Sequence, residues 1–242
     1  MLDEYYFRVI SLLKNIRDTQ SEKITLAAKL AADTVKRDGL IYIFGCCHSH
    51  LLAEDAFYRA GGLASVSPIL YEPLMMHESA TRSSVLEKED GLAEKILAGY
   101  PVTEKDMMIC VSTSGVNAVP VEMAIEARKN GLRSVAVTSS EYFQQKVKNA
   151  AGKHLYEVCD LWIDNFVPHG DTCLKVKNSE TETGSLSTIL SSFILNSLLA
   201  EAVFILDEEG VKAPVYRSGN VEGGQEYNKS VIARFKKRIK HL

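Results

Sequence analysis

The chain has 242 residues, 46% of them hydrophobic and 24% charged, with a net charge of −3. That composition fits a globular domain with a sizeable core. It carries no long basic block of the kind that marks a nucleic-acid surface, and no apolar run is read as a bilayer span, which needs about 20 residues. The opening Met1-Leu2-Asp3-Glu4-Tyr5 is acidic and amphipathic, unlike a secretory leader. The five cysteines (Cys46, Cys47, Cys110, Cys159, Cys173) lack CxxC spacing, which fits reduced thiols in a cytoplasmic protein better than a disulfide framework or a structural zinc site.

In chain order, Val9, Leu12, Leu13, Ile16, then Ile24, Ala27, Ala28, Ala31 and Val35 recur at three- and four-residue steps. This spacing predicts helix over 2–37, with a break near Asp18-Thr19-Gln20-Ser21 and a cap on a second helix from Thr19 or Ser21. Residues 40–44 form the first expected strand and 51–58 a helix that Arg59-Ala60-Gly61-Gly62 stops. Residues 64–70 contain a short strand, 71–91 a long loop with one helical turn, and 91–97 a helix. Met107 to Val111 is uniformly apolar, as in a strand buried on both faces of a parallel sheet.

A helix over 118–129 follows, with Asn117 at its cap, Pro120 in its first turn and Lys129-Asn130-Gly131 at its end. The remaining expectations are a strand over 134–138, a helix over 141–148, a strand over 160–164, a long apolar helix over 185–206 and a solvated basic helix over 227–239. Strands alternate with helices, and no stretch is rich enough in Pro, Gly or Ser to be a linker. The reading is one α/β domain over 1–242 on a parallel sheet, with 1–37 as a helical extension and 207–242 as a tail and helix.

Two strand-terminal loops carry the chemistry. Ser112-Thr113-Ser114-Gly115 offers three hydroxyls, a residue free to turn, and N–H groups at a helix N-terminus, which together suit an anionic oxygen cluster such as phosphate. Neither G-x-x-x-x-G-K-[ST] nor G-x-G-x-x-G occurs, so the usual apparatus for nucleotides is lacking. The other loop, Gly45-Cys46-Cys47-His48-Ser49-His50, invites a zinc reading. Adjacent cysteines with histidines two apart close a tetrahedron poorly, so no metal is expected.

This pair of loops resembles the sugar isomerase (SIS) domain of phosphosugar isomerases and phosphosugar-binding regulators, which has G-x-G-x-S after its first strand and S-x-S-G after its third. Gly45 to Ser49 and Ser112 to Gly115 occur in that order, and Asn117 to Gly131 and Val135 to Ser139 continue the pattern over roughly residues 35–205. Cys47 departs from it by standing at the second glycine. Asn117 stands where many members have Thr or Ser. The pattern looks closest to an uncharacterised branch related to phosphoheptose isomerase and N-acetylmuramic acid 6-phosphate etherase.

The resemblance implies a three-layer, flavodoxin-like sandwich around a five-stranded parallel sheet, forming homodimers or homotetramers with sites at the subunit interface. It implies a phosphosugar held by Gly45, His48, Ser49, Ser112, Thr113, Ser114, Gly115 and Asn117. It also implies that Asn165, Ser185 and Thr188 approach the same mouth. No cofactor is expected. Aldose–ketose isomerisation needs a base beside the carbonyl and an acid for the oxygens. By position in phosphoheptose isomerases, Glu87 or Glu89 is the counterpart of the base and His169, near Asp171, of the assisting histidine; His77 with Glu78 is the alternative pair. The expected activity is sugar-phosphate isomerase, against a phosphorylated amino-sugar etherase or a non-catalytic phosphosugar sensor.

Overall fold

Alternation along the strands splits the core in two. Ile41 and Ile43 face one buried cluster while Tyr42 and Phe44 face the other; Met107, Ile109 and Val111 divide in the same way from Met108 and Cys110. A strand apolar on both faces needs helices on both sides, and the computed structural model, which describes residues 1–242, has them. The strands are β1 (Ile41–Gly45), β2 (Val66–Pro68), β3 (Met107–Val111), β4 (Arg133–Thr138) and β5 (Leu161–Asp164). All pair in parallel, in the order β2-β1-β3-β4-β5. This is the expected α/β sandwich on a five-stranded parallel sheet.

The helices are α1 (Leu2–Lys36), α2 (His50–Ala56), α3 (Met76–Leu86), α4 (Leu92–Leu97), α5 (Ala118–Lys129), α6 (Leu155–Val158), α7 (Ser187–Glu208) and α8 (Gly224–Phe235). Residues of α1, α2 and α7 pack on one face of the sheet, and those of α4, α5, α6 and α8 on the other. A small antiparallel hairpin, β6 (Leu174–Lys175) with β7 (Glu182–Thr183), leads into α7.

Several elements differ from the sequence expectation. The N-terminal segment is one helix of 35 residues, without a break. Thr19, expected as a cap, donates its hydroxyl back to the Asn15 carbonyl at 2.8 Å, and Gln20 is buried with its side-chain oxygen accepting the Asp164 N–H at 3.1 Å. The 71–91 segment holds a 3-10 turn (Glu72–Leu74) and the 11-residue α3, kinked at Ser79. Its polar residues are compatible with a helix because Ser83 turns inward and donates to the Leu74 carbonyl at 2.6 Å.

The helix expected over 141–148 is only a 3-10 turn, Ser140–Tyr142. Beyond it, Phe143 is drawn onto Tyr156 and Trp162 at ring distances of 3.8 and 5.0 Å. The C-terminal helix is not merely solvated, since Val231, Phe235 and Ile239 are buried. Finally, α7 has 22 residues and is long and apolar enough to cross a membrane by length and composition, contrary to the expectation. In this fold its buried residues, Leu190, Ile194, Leu195 and Leu198, share a core cluster with Ile16, Ala27, Ala28 and Ala31 of α1.

Candidate functional site

In a doubly wound sheet, ligands bind beyond the carboxyl ends of the strands where the strand order reverses. Here the chain moves outward from β1 to β2 and then returns to β3 on β1's other side, so the reversal lies between β1 and β3. The register pairs Gly45 with Val111. The loops 46–49 and 112–117 therefore leave the sheet side by side at the same height.

Each loop is shaped by a glycine that does not itself reach the opening. A Cβ on Gly45 would lie 2.6 Å from the Ser49 backbone, so only glycine lets the loop fold back over the strand end. Gly115 has φ +61°, and a Cβ there would lie 2.8 Å from the Thr138 hydroxyl. Its N–H donates to Ser112 Oγ at 3.2 Å, which closes the hydroxyl turn. Cys47 adopts φ +51°, a left-handed conformation that favours glycine. The cysteine thus keeps the backbone path that a glycine would take and adds a thiol. Its Sγ lies 3.0 Å from the Ser83 hydroxyl on α3.

Between the loops lies a cleft of about 210 Å³, lined by His48, Ser49, Ser112, Thr113, Ser114 and Asn117 together with Cys46, Cys47, Glu87, Val111, Tyr142, Asp171 and Ser187. Glu87, just past the end of α3, is one of its two half-buried acids. Its carbonyl accepts the Val119 N–H of α5 at 3.1 Å, tying it to the helix behind the hydroxyl loop. Burial pushes its carboxyl above the usual range, while Lys88, Asn117, Cys47 and Lys148 pull the other way. Burial also raises the Cys47 thiol. The Asn117 side-chain oxygen is buried and has no hydrogen-bond partner within the chain.

Asp171 closes the opposite wall at φ +56°. Its carboxylate accepts N–H bonds from Leu186 and Ser187 at 3.0 and 2.8 Å and the Ser187 hydroxyl at 2.6 Å, capping α7. Tyr142 donates to the Pro168 carbonyl at 3.3 Å and accepts from the Gly170 N–H at 2.9 Å.

The other sequence candidates lie elsewhere. His77 and Glu78 are solvent-exposed, at 63% and 52%, and 3.8 Å apart outside the cleft lining. Glu89 is exposed beyond the wall that Glu87 forms. His169 is exposed and stacks on Tyr142 at 5.0 Å, outside the lining. Asn165 is fully buried, donating to the Ser191 hydroxyl at 3.0 Å and accepting the Val167 N–H at 3.2 Å. Ser185 meets Tyr5 through its carbonyl. Thr188 borders a small adjoining hollow with His48, Ser49 and Thr113.

The zinc alternative finds no converging set. Cys46 is buried in the core, His50 turns its Nδ1 onto the Cys47 carbonyl, and no three His, Cys, Asp or Glu residues are placed to hold an ion. Sequence reading placed neither Tyr142 nor Ser187 among the site residues. Neither stands in a motif, and only the chain's return across the strand ends brings them in.

Known proteins share this fold. A family model described as the SIS domain matches residues 4–139, and the chain belongs to that family. Full-length relatives are the UPF0309 proteins of Thermoanaerobacter pseudethanolicus, 42% identical over 247 residues with 100% of both chains covered, and of Geobacillus thermodenitrificans, 41% identical over 240 residues with 99% and 96% covered. Among solved structures, phosphoheptose isomerase from Neisseria gonorrhoeae superposes with a TM-score of 0.53 at 16% identity, covering 81% of this chain and 95% of that one. The NanR protein of Vibrio vulnificus, complexed with ManNAc-6P, gives 0.52 at 13%, covering 96% and 69%. At those identities the likeness shows the fold alone.

Proposed function

We propose that the protein, acting as one unit over residues 1–242, binds a phosphorylated sugar in the strand-end cleft and interconverts its aldose and ketose forms. The observation that carries this reading is Glu87, a half-buried carboxylate in the cleft lining beside the hydroxyl loop. Ser112, Thr113, Ser114 and the N–H groups entering α5 hold the phosphate, with Ser49 and Asn117 beside it. Glu87 takes the C2 proton of the aldose, giving an enediol, and returns a proton to C1 to give the ketose. His48, the one imidazole in the lining, exchanges protons with O1 and O2. A raised carboxyl pKa suits this task, because a base works best with a pKa nearer the operating pH.

Two further parts of the proposal concern assembly and place. Leu2, Tyr6, Phe7 and Ile10 on α1 and Ile189 and Phe193 on α7 are exposed, which supports pairing with a second copy. Size-exclusion chromatography with light scattering at micromolar concentration would return a monomer mass if that pairing is wrong. A cytoplasmic location fits five cysteines that are all free thiols.

The deciding experiment incubates the protein with a panel of sugar phosphates in deuterated water and follows deuterium into C1 and C2. Exchange that is lost in Glu87→Gln supports the isomerase. A phosphosugar that binds but never exchanges leaves a sensor, and exchange with loss of an ether substituent marks the etherase.

A further inference from the structure

Arg59-Ala60-Gly61-Gly62 enters the sequence reading only as a helix stop, and residues 214–224 only as a tail. The structure splices them together. The Gly61 N–H donates to the Tyr216 carbonyl at 2.8 Å and the Tyr216 N–H to the Gly62 carbonyl at 3.0 Å, beside an antiparallel bridge between Leu63 and Val215. With α8, the splice encloses a cavity of about 470 Å³ whose lining includes Tyr58, Arg59, Tyr216, Arg217, Asn228 and Lys229. It lies at the far end of α2 from the cleft, because α2 starts at His50 and ends at Ala56, just before Tyr58.

The lining holds three cations and no carboxylate. Asp55 steadies Arg59 at 2.6 Å and Glu226 steadies Lys229 at 2.7 Å, both from outside the lining. Arg217 has no acidic partner. Its guanidinium lies 4.1 Å from the centre of the Tyr227 ring, and the Asn228 side chain clamps its backbone N–H and carbonyl at 2.9 and 2.8 Å. Tyr216 is only 3% exposed, yet its hydroxyl has no hydrogen-bond partner within the chain, an arrangement that folding disfavours. Burial pushes this phenol up to about 12, so it remains a proton donor. Tyr58 sits at φ +46°, a left-handed conformation disfavoured for a bulky side chain, with its ring edge-on to Tyr216 at 5.0 Å.

We propose that this cavity is a second ligand site, independent of the strand-end cleft, that takes a phosphate-bearing small molecule. The forked guanidinium groups of Arg59 and Arg217 grip the phosphate, a geometry that arginine matches bidentately. Tyr58 covers the apolar part of the ligand. The volume lies in the range of small-molecule pockets.

The test is calorimetric titration of inorganic pyrophosphate into the full chain carrying Ser112→Ala and Ser114→Ala, which removes the cleft's hydroxyls. One binding event is expected. Adding Arg59→Gln and Arg217→Gln should weaken it at least about tenfold, the loss expected for charge-assisted hydrogen bonds. Arg217→Gln alone, at the guanidinium with no acidic partner, should weaken it at least about threefold without lowering the melting temperature of the unliganded protein. It decides the question should the double-arginine variant not fold. Absence of binding to the parent at millimolar pyrophosphate, or unchanged binding in both variants, overturns the proposal. The cleft reading fails separately, if sugar-phosphate affinity in the Arg59→Gln, Arg217→Gln protein ignores Ser112→Ala and Ser114→Ala.

Discussion

The concavities at the two ends of α2 are made from opposite materials. The cleft at its start is lined by hydroxyls, an amide, two thiols, one imidazole and two carboxylates, with no lysine or arginine. The cavity past its end is lined by three cations and no carboxylate. Neutral donors grip an anion through geometry and leave a nearby carboxylate free to act as a base. A guanidinium beside Glu87 would instead hold that carboxyl ionised and lower its pKa. Cations grip any anion of suitable size, and salt weakens that grip. The contrast suits the proposed division, with selectivity and chemistry at the cleft and charge-driven capture at the cavity.

The largest effect expected in breaking this contrast is chemical. Glu87→Gln should lower deuterium exchange by about a hundred- to ten-thousand-fold, the usual contribution of a positioned base, with sugar-phosphate affinity retained in titration. Loss of affinity instead would make Glu87 a binding residue. Next, Ser112→Ala with Ser114→Ala should weaken sugar-phosphate binding about a hundredfold, since each hydroxyl to a charged oxygen contributes roughly 1.5–3 kcal/mol. Intact affinity would move the phosphate elsewhere. Raising salt from about 50 to about 500 mM should weaken pyrophosphate at the cavity about tenfold and sugar phosphate at the cleft by less than about threefold. Equal slopes would erase the distinction.

Two smaller effects concern stability. Burial holds the Glu87 carboxyl above its unfolded value. Folding therefore takes up a proton between the two values, stability falls as pH rises through that window, and the deficit persists above it. Glu87→Gln should thus melt higher than wild type at pH 7 and match it below about pH 4, where both states of the wild type are protonated. A constant difference across pH would point to packing. Cys47→Gly should relieve the left-handed backbone, offset by the extra freedom of glycine in the unfolded chain, for a net gain of about 0.5 kcal/mol and roughly 1–2 °C. A fall in melting temperature would show that the thiol's contact with Ser83 outweighs the backbone term.

How much was legible in the sequence depended on whether the signal was local. Met107 to Val111 announces a strand because every residue is buried, and Ser112 to Gly115 announces its turn because hydroxyls and a glycine at φ +61° are needed there. The break expected at Thr19 misled because a hydroxyl bonding back four residues inside a helix has the same composition as a cap. Gln20 is polar on a buried face for a reason 144 residues away, the Asp164 N–H. The choice of Glu87 over Glu89, Glu78 and His77 depends on how α3 ends against α5, which the 71–91 segment does not encode in any periodicity. The splice of Gly61 with Tyr216 joins a helix stop to a tail, and neither stretch carries a motif that predicts the other.

Cys47 has a practical consequence. Its half-buried thiol lies in the lining of the cleft, whereas Cys46, which borders the same cleft, and Cys110 are buried. An alkylating reagent must enter the cleft to reach it, as the proposed sugar phosphate would, and the raised thiol pKa means that this labelling needs alkaline buffer. Peptide mapping of Cys47 modification therefore turns the cleft into its own occupancy gauge, read by mass in an unaltered chain.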